Sequence, residues 1–310
     1  MDRQDRAKGA LLGLACGDAL GRPVEFRSPG AIEAEHGTLT EMVGNGTHGK
    51  PAGTITDDTE QALCIARSLV ERDEFDPEDI AERFVAWYNS GPFDIGLMTA
   101  DALRRIDNGV AWDVAGQETW EERAEGSNAG NGSVMRCAPL AIAFVDDLET
   151  LQRVSRDSSR ITHADPRCMY GCAVLNCTIA AMLVGSEQPL TTALGALSTD
   201  APDSLVRTLE PIPDGIDPDE LQTSGFVLDT LQTALYYALT ADSAEAAIVS
   251  AVNEGGDTDT IGAVAGAVAG ARFGVSALPE RWLDALAATD GLRGLAEGLT
   301  RPNGDSSRRN

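Results

Sequence analysis

Two short acidic segments hold the densest chemistry in the chain, Thr56-Asp57-Asp58-Thr59-Glu60-Gln61 and Asp257-Thr258-Asp259-Thr260. Each precedes an apolar pattern of helical period, so each is placed at a helix start. A single Asp or Thr serves a helix as its N-cap. Adjacent carboxylates serve it poorly, because they repel and raise each other's pKa unless a cation intervenes. Thr56, Asp57, Asp58, Asp257, Asp259 and Thr260 offer carboxylate and hydroxyl oxygens without Cys or His, a donor set that suits Mg²⁺ or Mn²⁺. Two such motifs in one chain predict a joint site holding two ions.

Three further segments carry candidate groups. Gly17–Phe26, "GDALGRPVEF", contains Asp18 and Glu25. Glu25 reads either as a surface acid or, flanked by Val24 and Phe26, as a partly buried acid that needs a partner such as a metal. The segment from Gly126, "GSNAGNGSVMRCAPLAI", places Gly130-Asn131-Gly132 before a Ser and an apolar run. That pattern is a turn signal and also suits a backbone cradle for phosphate. In "THADP", Thr162 to Pro166, His163 is one of only three histidines. A lone His is commonly structural; here the Ala164-Asp165-Pro166 helix start places it at a cleft rim.

The elements that must position these groups are helical. "DPEDIAERFVAWYNS" has Asp76 as N-cap, Pro77 in the first turn and Ile80, Phe84 and Trp87 on one face. Leu63, Ala66 and Leu69 or Val70 form another stripe, Leu228, Leu231, Leu235 and Leu239 a third, and Ser243 caps a further helix. Sustained period-two alternation and a βαβ rhythm are missing, so the expected fold is an all-α bundle in one domain, residues 1–300, with a disordered tail at 301–310. Loops are expected at Arg27–Thr54, Asn108–Ser133 and Glu210–Glu220. Gly262, Gly266 and Gly270 recur every four residues in "GGDTDTIGAVAGAVAGARFG". They predict a slim helix face that admits a close neighbour, expected to be the helix that follows "TDDTEQ". Gly255 and Gly256 supply the sharp turn before it.

The bulk composition narrows the partners. A net charge of −25, with two Lys among 24 basic residues and 28 Asp against 21 Glu, argues against nucleic acid and anionic membranes. The Asp-rich, Lys-poor balance matches proteins of very salty cytoplasm, where screening weakens self-repulsion. The six cysteines form no CxxC pair and read as reduced, buried thiols. No signal peptide or membrane-length apolar run is visible. A cytoplasmic monomer is the expectation.

In this order, the segments "GLACGDALGRPVEF", "TDDTEQAL", "GNGSVMRCAPLAI", "ITHADP" and "GGDTDTIGAVAGAVAGARFG" resemble the ADP-ribosylglycohydrolase family, and they span residues 11 to 274. The resemblance implies an all-α orthogonal bundle with a binuclear Mg²⁺ or Mn²⁺ centre. By motif, Thr56, Asp57, Asp58, Asp257, Asp259 and Thr260 are the implied metal ligands, with Asp259 as the bridge. Glu25 is the implied mobile acid, acting as general base, and it joins Asp58 and Asp257 as the catalytic set. Ser127, Asn128, Ala129, Gly130, Asn131, Gly132, Ser133 and His163 are the implied ADP-ribose contacts. The implied reaction is hydrolysis at C1″ of ADP-ribose attached to a protein side chain, arginine above all, or to a small acceptor. Ser133 stands where many relatives carry glycine, either filling space or adding a hydroxyl near the phosphate. Two other readings are a non-catalytic ADP-ribose binder or crystallin-like relative, and an all-α isoprenoid diphosphate synthase. The synthase needs DDxxD spacing and nearby basic residues, which "TDDT" and "DTDT" do not provide.

Overall fold

The computed structural model describes residues 1–287 and 289–300; the tail expected at 301–310 lies outside the described residues. The described residues form sixteen α-helices and no strand. In chain order these are α1 (Arg3–Gly21), α2 (Pro29–His36), α3 (Asp57–Arg72), α4 (Pro77–Asn89), α5 (Leu97–Asp107), α6 (Trp112–Glu121), α7 (Ala138–Ala143) and α8 (Leu148–Arg160). They continue with α9 (Pro166–Leu183), α10 (Pro189–Gly195), α11 (Asp203–Leu209), α12 (Val227–Thr240), α13 (Ala244–Asn253), α14 (Thr258–Phe273), α15 (Glu280–Ala285) and α16 (Thr289–Leu299).

Local signals set many boundaries. Asp76 accepts a hydrogen bond from Asp79 N at 3.0 Å and Pro77 opens α4, while Ile80 and Phe84 are wholly buried. Ser243 caps α13 through Ala246 N at 3.0 Å. Two expected loops hold helices instead. α2 lies within Arg27–Thr54, started by Ser28 as N-cap and Pro29 at N1. α6 lies within Asn108–Ser133, where Ala115, Gly116 and Thr119 make one buried face. Eight to ten residues with few large apolar side chains give too weak a period to be seen in sequence. The Glu210–Glu220 stretch contains only a short 3₁₀ turn, Pro218–Glu220.

The centre of the molecule is the antiparallel pair α1 and α14, both buried along most of their length. Glycines Gly9, Gly13 and Gly17 of α1 face Gly270, Gly266 and Gly262 of α14 in that order, and Gly21 faces Thr258. A Cβ placed on Gly266 would lie 2.0 Å from Gly13 O, and one on Gly13 would lie 2.2 Å from Gly266 O. The helices therefore touch backbone to backbone, as small residues permit. The close neighbour of the α14 stripe is α1, not the expected α3. The reason is steric: only a second glycine row can meet the first at this separation.

This pair places the chemistry. Because the helices run antiparallel, the end of α1 and the start of α14 lie together. Glu25 follows α1 after the 3₁₀ turn Arg22–Val24, and Asp257 is the N-cap residue of α14. Gly255 and Gly256 both adopt positive φ, +73° and +74°, which lets the chain turn into α14. Arg22, wholly buried, donates to the carbonyls of Val43, Asn45, Lys50, Pro51 and Thr54. One guanidinium thus pins the loop that leads into α3.

Candidate active site

α3 brings the first acidic motif to the same end. Its N-terminus is held by Asp18 of α1, a wholly buried carboxylate. Asp18 accepts hydrogen bonds from Thr56 N at 3.0 Å and from Thr59 N and Oγ1 at 3.2 and 2.5 Å. With Asp18 satisfying those first-turn donors, Asp57 and Asp58 are released to face the interior. Asp58 Oδ2 lies 3.3 Å from Thr56 Oγ1 and 3.4 Å from Thr260 Oγ1, so the two motifs meet at this carboxylate. Asp257 makes no capping bond through its side chain; Asn131 Nδ2 donates to its Oδ2 at 2.8 Å. Oxygens of Glu25, Asp257 and Asp259 approach within 4.8 Å of one another.

The electrostatics of this cluster are unfavourable without positive charge. Burial raises Asp57, Asp58 and Asp259 well above the ordinary carboxylate range, and neighbouring carboxylates raise them further. Glu25 is pushed up to about 9, first by burial and then by Asp94, Asp257 and Asp57. Asp58 Oδ1 is buried with no hydrogen-bond partner among the described residues. An orphaned carboxylate oxygen within an all-oxygen donor set fits a hard divalent cation. Of the six expected ligands, Thr56, Asp57, Asp58, Asp259 and Thr260 are buried here, and Asp257 is half-buried beside them.

A cavity of about 550 Å³ opens from the cluster. Its far wall is built by the glycine segment, where Asn131 N donates to Gly225 O at 3.1 Å and Val227 N to Ala129 O at 3.0 Å. A Cβ on Gly132 would lie 2.8 Å from His163 Cε1 and 3.2 Å from Thr99 Oγ1, so glycine keeps this wall open. The amides of Gly132 and Ser133 have no acceptor among the described residues. Of the expected contacts, Ser127, Gly130, Asn131, Gly132 and His163 line the cavity. The side chains of Asn128, Ala129 and Ser133 do not. Asn128 Oδ1 points to Arg167 Nη2 at 3.4 Å. Ser133 Oγ sits 2.9 Å from Ser159 Oγ and 3.4 Å from Cys172 Sγ, so its hydroxyl fills space behind the wall.

Several polar residues in or beside the cavity were not singled out from sequence. Asp94 lies beside Glu25, and His48 Nε2 contacts both Glu25 Oε2 and, at 3.5 Å, Asp94 Oδ2. Thr99 and Arg123 complete the opposite wall. His48 and Asp94 sit in irregular segments without helical period, and only their position after folding marks them. Phe26 and Leu97, also on the cavity, are 73% and 77% exposed. The six cysteines are free and buried, as expected, and no described helix is long and apolar enough to cross a membrane.

The family profile described as ADP-ribosylglycohydrolase matches residues 1–308. The chain is 36% identical over 283 residues to an ADP-ribosyl-[dinitrogen reductase] glycohydrolase of Rhodospirillum rubrum, covering 91% of this chain and 90% of the relative. It is 35% identical over 311 residues to the ADP-ribosylarginine hydrolase Tri1 of Pseudomonas putida, covering 95% and 78%. A solved structure titled an ADP-ribosylglycohydrolase-related protein complex superposes with a TM-score of 0.82 at 36% identity, over 97% of this chain and 98% of that one.

Proposed function

The chain belongs to the ADP-ribosylglycohydrolase family, and from that premise we propose that it is a metal-dependent hydrolase of the C1″ bond between ADP-ribose and a side-chain nitrogen, arginine in the first place. The observation that carries the reading is the meeting of both acidic motifs at Asp58, with its orphaned Oδ1, at the end of a glycine-walled cavity.

Thr56, Asp57, Asp58, Asp257, Asp259 and Thr260 would hold two Mg²⁺ or Mn²⁺ ions. When bound, such a pair supplies positive charge that grips ribose hydroxyls and activates water. The protein does the rest. The free amides of Gly132 and Ser133 receive diphosphate oxygens in a chain with few cations to spare. His163 and Asn131 border the same wall. Glu25 accepts a proton from the attacking water as positive charge develops on the ribose. Burial and neighbouring carboxylates raise Glu25, and positive charge held in the cluster would offset both. Asp94, lining the cavity beside Glu25, offers a carboxylate that suits a guanidinium-bearing substrate better than a neutral ester. The arginine-directed name of the relative at 35% identity supports the same choice.

The experiment is a panel of arginine-, serine- and acetyl-linked ADP-ribose, each with Mg²⁺, with Mn²⁺ and with chelator, in high salt. Fastest release from the arginine linkage, abolished by chelator, is expected. Equal rates across linkages remove the arginine assignment, and release that survives chelation removes the metal.

A further inference from the structure

Among the described residues, Arg136 is one of the largest wholly buried side chains, and no carboxylate pairs with it directly. Its guanidinium lies 4.4 Å from the centroid of the Phe84 ring. Its two terminal nitrogens point in different directions. Nη1 donates to Gln61 Oε1, and Nη2 donates to Thr162 Oγ1 at 2.7 Å. Gln61 Nε2 then donates to Asp57 Oδ2 at 3.2 Å. Thr162 Oγ1 in turn lies 2.7 Å from His163 Nδ1. An unbroken buried chain therefore runs from the acidic cluster to the histidine on the glycine wall.

Arginine has only donors. That fixes the direction of both arginine bonds and, through the amide, of the Gln61 bond to Asp57. Gln61 must turn its oxygen to Arg136, so its NH₂ faces Asp57. Thr162 Oγ1 must accept from Arg136, and among the described residues its own proton has one acceptor, His163 Nδ1. The direction that leaves the buried Thr162 proton paired has it donated to Nδ1, which places the ring proton on Nε2. Nε2 has no hydrogen-bond partner among the described residues and looks onto the positions that Cβ atoms on Gly130 and Gly132 would take, at 3.5 and 3.1 Å. The ring is neutral, since burial and the charges of Arg136 and Arg123 push it down to about 3.

We propose that Arg136 and Thr162 are positioning residues that lock His163 as the Nε2–H tautomer, so that it presents one fixed hydrogen-bond donor to an oxygen of the bound ligand. The proposal rests on reading this cavity as an ADP-ribose site. The same guanidinium orients Gln61 against Asp57, so one buried cation aligns both ends of the cavity. A donor at Nε2 selects a ligand oxygen there and rejects a donor group, as a fixed buried hydrogen-bonding group does.

The test starts with the free protein, where three histidines make ring ¹⁵N spectra assignable. Wild type is expected to show His163 protonated at Nε2 only, with Nδ1 an acceptor. Thr162→Ser keeps that signature; Thr162→Val loses it and gives a mixture of tautomers. Calorimetry with free ADP-ribose follows: Thr162→Val is expected to weaken binding about tenfold, the value of one neutral hydrogen bond, and Thr162→Ser to restore it. An Nδ1-protonated ring in wild type overturns the proposal, and so does a Thr162→Val protein with unchanged tautomer and affinity. Because the tautomer is read without ligand, it separates the two ideas. An Nε2–H ring in a protein that does not bind ADP-ribose contradicts the functional reading while leaving the lock in place.

Discussion

At the scale of single residues, the two acidic motifs were readable because repulsive carboxylates are wasteful as caps, and the structure agrees: Asp257 does not cap α14 with its side chain. Asp18 could not be read this way. A lone Asp at the end of an apolar helix looks like a surface group, yet it is buried against the first turn of another helix. Glu25 is where a general base is expected. Glu25→Gln should spare ADP-ribose affinity and slow hydrolysis by about 10²–10⁴-fold; an unchanged turnover rate takes Glu25 out of the mechanism. His163 gives a pH prediction. Its folded pKa, about 3, lies below the ordinary value of 6.5, so below pH 6.5 the unfolded chain takes up a proton that the folded ring refuses. Stability from this residue is complete above that pH and is lost as pH falls toward 3, with a slope of at most about 1.4 kcal/mol per pH unit. Denaturant titrations of wild type and His163→Gln should differ by that slope between the two pH values. Parallel curves contradict the assignment.

At the scale of elements, the Gly262, Gly266 and Gly270 stripe was legible as a close-packing face, but its partner was not. The matching signal is present in "KGALLGLACGDALG", where Gly9, Gly13, Gly17 and Gly21 repeat at the same spacing. Two rows of equal period on different helices are each other's natural partners, whereas α3 offers leucines. Gly266→Ala should cost about 3 kcal/mol or more, since its Cβ would lie 2.0 Å from a backbone oxygen of an equally buried helix. Gly294→Ala in α16 meets nothing within 4 Å and should gain about 1 kcal/mol. Thermal or denaturant unfolding of the two variants checks the pair. Equal effects would mean that the α1–α14 separation is not set by glycine. The helices α2 and α6 escaped the sequence reading for a related reason: one is buried only at Ile32 and the other docks through Ala115, Gly116 and Thr119, so neither leaves much hydrophobic period behind.

At the scale of the whole molecule, the all-α class was legible from period alone, and the order of the five motifs identified the family. What composition did not reveal is where the negative charge matters. The net charge of −25 is spread along the chain, yet its most demanding part is the buried cluster at the junction of α1, α3 and α14. Raising KCl from about 0.1 M to about 2 M should raise the melting temperature by screening surface self-repulsion; a flat or falling melting temperature contradicts that view of the surface. In the proposed function a divalent cation acts at the cluster instead. The most direct test of the central claim is hydrolysis of ADP-ribosylated arginine by wild type and Asp259→Ala, each with Mg²⁺ or Mn²⁺, alongside the thermal shift that the ion produces. The account predicts release of ADP-ribose and an ion-dependent thermal shift in wild type, with both lost in a folded Asp259→Ala protein. An active Asp259→Ala enzyme with an intact ion response would contradict it.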